Sequence, residues 1–316
     1  MTRPIEGCQF LIFQCVIISI NKQPGEKYLK AERSGEFLMV AFAFFEGWFP
    51  IFTILTLQYI TPVFAYSFTL VFSIILFMTL VILRKKFREF FLWSAWKDLL
   101  LTSFFISLMF ACIYIGLSYT SAGNMAVLIF LQVFFSFFYF NLIGGEKFAL
   151  IHLLGALLMA AGAIIILFPD EMILNFGDLL ILLAAAIAPV ANLYQKRARR
   201  QVSSETILAF RSIVALPVLL LLAIVFEPVP EWDDMIRSLP YIATTGLLLM
   251  GLSKILWVES IHRISITKAS AMAALIPVFT LLFAYLALNE VPGNSQFAGI
   301  LPVLIGGYLI SRKVEH

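Results

Sequence analysis

The chain has 316 residues, of which 61% are hydrophobic and 13% are charged, with a net charge of +3. Its mean hydropathy of +0.97 lies outside the range of soluble globular proteins. The composition therefore indicates an integral membrane protein, and its apolar runs leave no room for a separate soluble catalytic domain.

The cysteines and histidines form no pattern that predicts a chemical centre. Cys8, Cys15 and Cys112 make neither a CxxC pair nor a metal-ligand spacing, and the three histidines share no common spacing. We therefore predict no disulfide framework, metal site, cofactor or catalytic residue.

The first 34 residues differ from the rest of the chain. The apolar run 8–20 is too short to span a bilayer, and the charged segment 21–34 follows it. We expect an interfacial or disordered leader over residues 1–34, whose place in the native protein is left open, and a cytoplasmic tail over residues 312–316.

Apolar runs of about 20 residues are long enough to cross about 30 Å of hydrocarbon. Ten predicted spans follow one another in the chain. They cover residues 37–58, 63–83, 99–117, 122–143, 149–168, 179–194, 207–226, 241–258, 269–288 and 297–310.

The basic residues predict the orientation, since short loops rich in Lys and Arg stay on the cytoplasmic side. With the N-terminus inside, only Arg237 of the 22 Lys and Arg residues falls in an outer loop, and Arg211 and Lys254 fall within spans. We therefore expect an inner-membrane protein with both termini cytoplasmic. The basic runs 84–88 and 196–200 flank spans, so they indicate topology and lipid contact rather than nucleic-acid binding.

Part of the chain occurs twice. Residues 126–166 align without a gap with residues 270–310, an offset of 144 positions. The pairs that carry the comparison are Glu146 with Glu290, Gly155 with Gly299, and Gly162 with Gly306. Gly35-Glu36 before the first span is echoed by Gly177-Asp178 before the sixth. Five spans in each copy predict an all-α membrane fold of two inverted five-helix repeats.

The tract 269–279, which ends in Leu288-Asn289-Glu290, and its counterpart from Ala126 to Glu146 resemble the drug/metabolite transporter superfamily of the EamA type. The resemblance covers residues 35–311. It implies a first repeat over 35–168 and a second over 177–311. It also implies a secondary transporter that moves a small organic metabolite by alternating access, with export of amino-acid-like compounds favoured.

Several alternatives stay open at this point. Within transport they are import, or exchange of a sugar phosphate or nucleotide sugar, which would need several cationic cavity residues. An integral-membrane enzyme acting on a lipid-linked substrate is a different class, and no catalytic cluster supports it. Proton coupling and the choice between monomer and homodimer are also open.

Charged residues at bilayer depth are candidates for the site, because a charge there is costly unless it faces a cavity or a partner. Glu46 lies near the middle of the first span and is the leading candidate for substrate contact or proton coupling. Lys254 could pair with Glu46, bind an anionic group or extend to the interface. Arg211 lies nearer the end of its span, so a structural or interfacial role is favoured.

Uncharged polar and aromatic residues complete the set of candidate substrate contacts. Asn124 and Gln132 belong to one polar face of the fourth span, which must turn away from lipid. The resemblance implies that this span lines a central cavity. Asn192, Trp48 and Trp257 are weaker candidates, because Trp also serves as an interfacial anchor.

Overall fold

The structure is a computed structural model that describes residues 26–139, 150–167, 175–264, 268–269, 272–273 and 275–311. The described residues contain helices and turns but no strand. Most of the expected leader, the expected tail 312–316 and Glu146 lie outside the described residues.

The first half of the chain forms seven helices within the described ranges. They are α1 Glu26–Glu46, α2 Phe49–Leu57, α3 Pro62–Leu83, α4 Trp93–Leu117, α5 Ala122–Phe130, α6 Gln132–Phe137 and α7 Leu150–Leu167. A short 3₁₀ helix, Phe87–Phe91, lies between α3 and α4.

The second half forms six helices within the described ranges. Its helices are α8 Phe176–Arg199, α9 Ser204–Phe226, α10 Trp232–Thr244, α11 Ser253–Arg263, α12 Leu275–Leu288 and α13 Asn294–Ser311. A π-helical segment, Thr245–Leu252, joins α10 to α11.

Six helical segments of the described chain are long and apolar enough to cross a membrane. They are Glu32–Leu57, Pro62–Leu83, Trp93–Leu117, Phe176–Arg199, Ser204–Phe226 and Trp232–Arg263. Shorter apolar helices cover Ala122–Phe137, Leu153–Gly162 and Leu275–Leu288. Each predicted span overlaps helical residues, but only six described segments meet the length and hydropathy of a full span, so the count of ten stays a prediction.

The first helix begins earlier than the hydropathy pattern predicts. It starts at Glu26, within the charged segment 21–34, rather than near residue 37. Lys, Glu, Ala and Leu are good helix formers, so this segment continues the helix although it is too polar to enter hydrocarbon.

Hydroxyl side chains inside the apolar helices bond to their own backbone. Thr53 donates to the carbonyl of Phe49 at 2.8 Å, and Thr69 donates to that of Ala65 at 2.8 Å. These bonds satisfy the hydroxyl donors locally, so the hydroxyls can lie inside an apolar bundle. Thr69 also accepts a hydrogen bond from the Tyr114 hydroxyl of α4 at 3.2 Å.

The repeated glycines of α7 and α13 pack against each other in a crossed arrangement. A Cβ atom on Gly162 would lie 2.5 Å from the carbonyl oxygen of Gly299, and one on Gly306 would meet the carbonyl oxygen of Gly155. Only glycine permits so close an approach of two helix backbones. The glycines on which the predicted repeat depends therefore lie where α7 and α13 pack most closely.

A carboxylate caps the N-terminus of α3 and another caps the N-terminus of α9. Glu227, which follows α9, accepts hydrogen bonds from the Thr61 hydroxyl at 2.7 Å and the Val63 amide at 2.9 Å. Glu89, which follows α3, accepts from the Ser203 amide and hydroxyl, both at 2.7 Å. Each of these helices is thus capped by an acid that follows the other helix, and the charge suits the helix dipole.

Candidate functional site

A cavity of about 80 Å³ lies among helices of both halves of the chain. This volume exceeds the roughly 10–15 Å³ that one water molecule needs. Its lining is mostly apolar, with a few polar groups. The lining residues are Phe42, Glu46, Phe49, Pro50, Ile106, Met109, Phe110, Ile113, Met125, Ile129, Gln132, Ala188, Asn192, Gln195, Arg211, Lys254, Trp257, Ile276 and Thr280.

Glu46 and Lys254 form an ion pair at this cavity. The Lys254 Nζ atom donates to both carboxylate oxygens of Glu46, each at 2.6 Å. The two side chains are only 15% and 6% exposed. Among the alternatives that the sequence left open for Lys254, the structure has the pairing with Glu46, and the ammonium does not extend to an aqueous interface.

Three aromatic rings enclose the Lys254 ammonium. Its Nζ atom lies 5.2 Å from the ring centroid of Phe42, 5.5 Å from that of Phe49 and 5.1 Å from that of Phe110. These distances are within the range of cation–π attraction, which strengthens when the cation is desolvated. The lysine charge is therefore held by one carboxylate and three ring faces in a place from which bulk water is mostly excluded.

Irregular backbone lies next to both charged residues. The helix that carries Glu46 breaks at Gly47-Trp48 and resumes as α2 with Pro50 in its first turn. A Cβ atom on Gly47 would lie 2.7 Å from the Cβ atom of Phe279, so glycine lets α12 approach this break. The π-helical segment ends at Leu252, two residues before Lys254, and such segments frequently occur at functional sites.

Three uncharged candidates also line the cavity. The Trp257 indole donates to the Asn192 side-chain oxygen at 3.1 Å, and both residues are buried. Gln132 begins α6, after a break in helical hydrogen bonding at Leu131. The structure therefore brings together five of the candidate residues, Glu46, Gln132, Asn192, Lys254 and Trp257, although they are far apart in sequence.

Asn124 and Trp48 lie outside the lining of this cavity. The Asn124 amide donates to Asp178 at 3.4 Å and its oxygen accepts from Gln296 at 2.7 Å. The Trp48 ring stacks on Phe283, with ring centroids 4.2 Å apart. Their polar and aromatic groups are engaged in contacts between helices.

Arg211, for which the sequence favoured a structural or interfacial role, and Gln195, which the sequence did not single out, both line the cavity. Arg211 is 5% exposed, and its Nη1 atom donates to the Gln195 Oε1 atom at 3.1 Å. The span predicted for residues 179–194 ended just before Gln195, whereas α8 continues to Arg199. Arg211 was set aside because it lies near the end of its predicted span, and nothing in the hydropathy pattern shows that its side chain turns inward.

Two segments of the sequence match the same protein family. Residues 33–168 and 175–312 each match the EamA-like transporter family. The chain belongs to the EamA-like transporter family. This membership, together with its apolar helices, makes it a multi-pass membrane protein of the drug/metabolite transporter type, with a small-molecule substrate.

Two relatives of this EamA-like protein are both named as uncharacterized transporters. It is 25% identical over 245 residues to the uncharacterized transporter YoaV of Bacillus subtilis, covering 74% of this chain and 81% of that protein. It is also 25% identical over 219 residues to an uncharacterized transporter of Archaeoglobus fulgidus, covering 66% of this chain and 73% of that protein. These names favour a transporter over an enzyme.

A solved crystal structure of another protein has the same fold as this EamA-like chain. The two structures superpose with a TM-score of 0.66 over 88% of this chain and 96% of the other, at 16% sequence identity. At this identity the likeness concerns the fold alone.

Proposed function

We propose that this EamA-like protein is a secondary transporter, and not an enzyme, that moves a small organic metabolite by alternating access. The observation that carries the proposal is the Glu46–Lys254 pair in a cavity between helices of both chain halves. A buried pair is costly to assemble, and ionisable groups at membrane depth typically mark substrate or ion pathways. Amino-acid-like compounds and export are the favoured substrate class and direction.

Alternating access requires an architecture that can close at either end. We propose ten spans arranged as two inverted five-helix repeats, over residues 35–168 and 177–311. The crossed glycine contacts of α7 with α13 support this arrangement, because a twofold axis in the membrane plane would relate Gly162–Gly299 to Gly306–Gly155. The reciprocal caps of α3 by Glu227 and of α9 by Glu89 support it independently.

Two side-chain clusters are candidates for the closures at the two ends of the cavity. At one end Lys268 binds Glu32 at 2.5 Å and Glu36 at 2.6 Å. At the other end Asn124, which the 144-residue offset relates to Lys268, contacts Asp178. The closure at Lys268 is therefore made of ion pairs, and the closure at Asn124 is made of hydrogen bonds to its side-chain amide.

The basic residues support an inner-membrane location with both termini cytoplasmic. With that orientation, the Lys268 cluster lies on the cytoplasmic side and the Asn124 cluster lies on the outer side. Small-residue helix faces can serve contacts within a bundle or between protomers. The proposal therefore covers both the monomer and the homodimer.

Proton coupling through Glu46 is part of the proposal. Separation of Glu46 from Lys254 during the transport cycle would expose a carboxylate that can bind and release a proton. The test is a metabolite flux screen in proteoliposomes, with and without a pH gradient, on the native protein and on Glu46→Gln. We expect a pH gradient to drive flux by the native protein but not by Glu46→Gln, whereas Glu231→Gln, at an exposed site, behaves as native. Equal gradient dependence in all three proteins would remove the coupling role.

A further inference from the structure

The charges around the cavity do not balance. Glu46 and Lys254 neutralise each other, and Arg211 adds a third charge at the same cavity. Among the residues that the structure describes, no carboxylate oxygen lies within ion-pair distance of the Arg211 guanidinium. An arginine is always protonated in a protein, so the three charged side chains that line the cavity sum to a net charge of +1.

Gln195, the hydrogen-bond partner of Arg211, has a side-chain donor without an acceptor among the described residues. Gln195 is fully buried, and its Oε1 atom accepts the hydrogen bond from Arg211. A guanidinium has no acceptor, so this contact requires the oxygen of the amide to face Arg211 and the amide nitrogen to point elsewhere. The Nε2 atom of Gln195 has no acceptor within the described part of the chain. A buried donor of this kind normally has a partner.

We infer that Arg211 and Gln195 form the subsite for a carboxylate group of the transported molecule, and that this molecule carries a net charge of −1. This inference rests on the proposed transport function and narrows its substrate class: among amino-acid-like compounds it favours those that carry a carboxylate but no charged amino group. A planar carboxylate can accept from the guanidinium and from the free amide N–H at once. A dianionic phosphate would leave an uncompensated negative charge in the cavity.

The other residues that line the cavity indicate what kind of group is attached to the carboxylate of the transported molecule. Ile106, Met109, Ile129 and Ile276 present an apolar surface, which suits an apolar body attached to the carboxylate. Glu46 is already neutralised by Lys254, so the cavity offers no uncompensated negative charge to an ammonium group. A monocarboxylate with a small apolar body therefore fits better than a zwitterion with the same body.

Phenylacetate and its neutral analogue phenylacetamide provide matched probes. We expect phenylacetate to raise the thermal unfolding temperature of the purified protein and to be transported in proteoliposomes, with phenylacetamide much weaker in both assays. Equal stabilisation by the acid and the amide would overturn the inference. Because thermal stabilisation reports binding alone, it tests the subsite even if no flux is found, whereas absence of flux for every solute would count against the proposed transport function.

The decisive variant is Gln195→Glu. It places a carboxylate beside the guanidinium, so it compensates the Arg211 charge from within the protein and should fold. We expect phenylacetate binding to weaken about 10–100-fold, the range for loss of a hydrogen-bonded charged contact. Arg211→Gln should weaken it similarly, and Lys97→Gln, at an exposed site, should not. If Gln195→Glu is folded and binds phenylacetate as the native protein does, Arg211 has only a structural role.

Discussion

Lys254 donates to both carboxylate oxygens of Glu46, and the two residues are 208 positions apart in the sequence. The pair connects α1 to α11 and thus joins the two halves of the chain at the cavity. The offset of 142 positions between Gly35 and Gly177 relates Glu46 to Ala188, and the 144-residue offset relates Lys254 to Phe110. Both counterparts line the same cavity. The charged pair is therefore an asymmetric addition to a duplicated framework.

We predict that Glu46 and Lys254 are coupled energetically. Glu46→Gln or Lys254→Gln alone leaves a buried charge without its partner, which should lower the free energy of unfolding in detergent by about 3–5 kcal/mol. The double variant removes both charges and should recover most of this loss. Losses that simply add in the double variant would show that the two residues do not depend on each other.

We predict that the contact between α7 and α13 does not tolerate a methyl group. Gly162→Ala places a Cβ atom 2.5 Å from the Gly299 carbonyl oxygen and should destabilise the protein by about 1–3 kcal/mol, although alanine favours helix. Gly293→Ala is the matched control, since its Cβ would meet only the Ser295 hydroxyl at 3.8 Å. Thermal unfolding in detergent measures both variants, and equal stability of the two would contradict the close packing.

We predict a pH-dependent contribution from the cap of α9. Burial raises the pKa of Glu89, but hydrogen bonds from Ser203 and Thr206 outweigh it and hold the pKa below its usual value of 4.5. A carboxylate with a lowered pKa stabilises the fold above pH 4.5, and this contribution is lost as the pH falls through the lowered pKa. Glu89→Gln should therefore cost about 1 kcal/mol at neutral pH and progressively less below pH 4.5.

The unfolding temperatures of native protein and Glu89→Gln, followed from pH 7 downwards, test the role of this cap. The exposed Glu231 supplies the control substitution Glu231→Gln. A difference between native protein and Glu89→Gln that stayed constant over the whole range would mean that the charge of Glu89 is irrelevant to the cap.

We predict that the Lys268 cluster closes its end of the bundle. Lys268→Gln removes the contacts with Glu32 and Glu36 and should accelerate amide hydrogen exchange around residues 32–36 and 260–264. Lys97→Gln removes an exposed charge and should leave the exchange unchanged. Unchanged exchange in Lys268→Gln would show that this end is held closed by other contacts.

Hydropathy predicted the helical class, and the alignment of residues 126–166 with residues 270–310 predicted the repeat. Hydropathy could do so because long apolar runs leave a clear signal in the chain. It identified Glu46 and Lys254 because charge is rare at bilayer depth. It could not predict their pairing, since side-chain direction depends on how distant helices pack. The same limitation affected Asn124: a polar helix face must turn inward, but the sequence does not show whether it meets a cavity or, as here, Asp178.

Accessibility of the cavity during transport tests the central claim most directly. Thr280 lines the cavity, and Thr280→Cys in a chain with its three native cysteines replaced by serine is a conservative probe. Asn294→Cys, at an exposed site, is the control. We predict that modification of Thr280→Cys by a water-soluble thiol reagent blocks solute flux in proteoliposomes, whereas modification of Asn294→Cys does not. Full modification of Thr280→Cys with undiminished flux would show that the solute does not pass through this cavity.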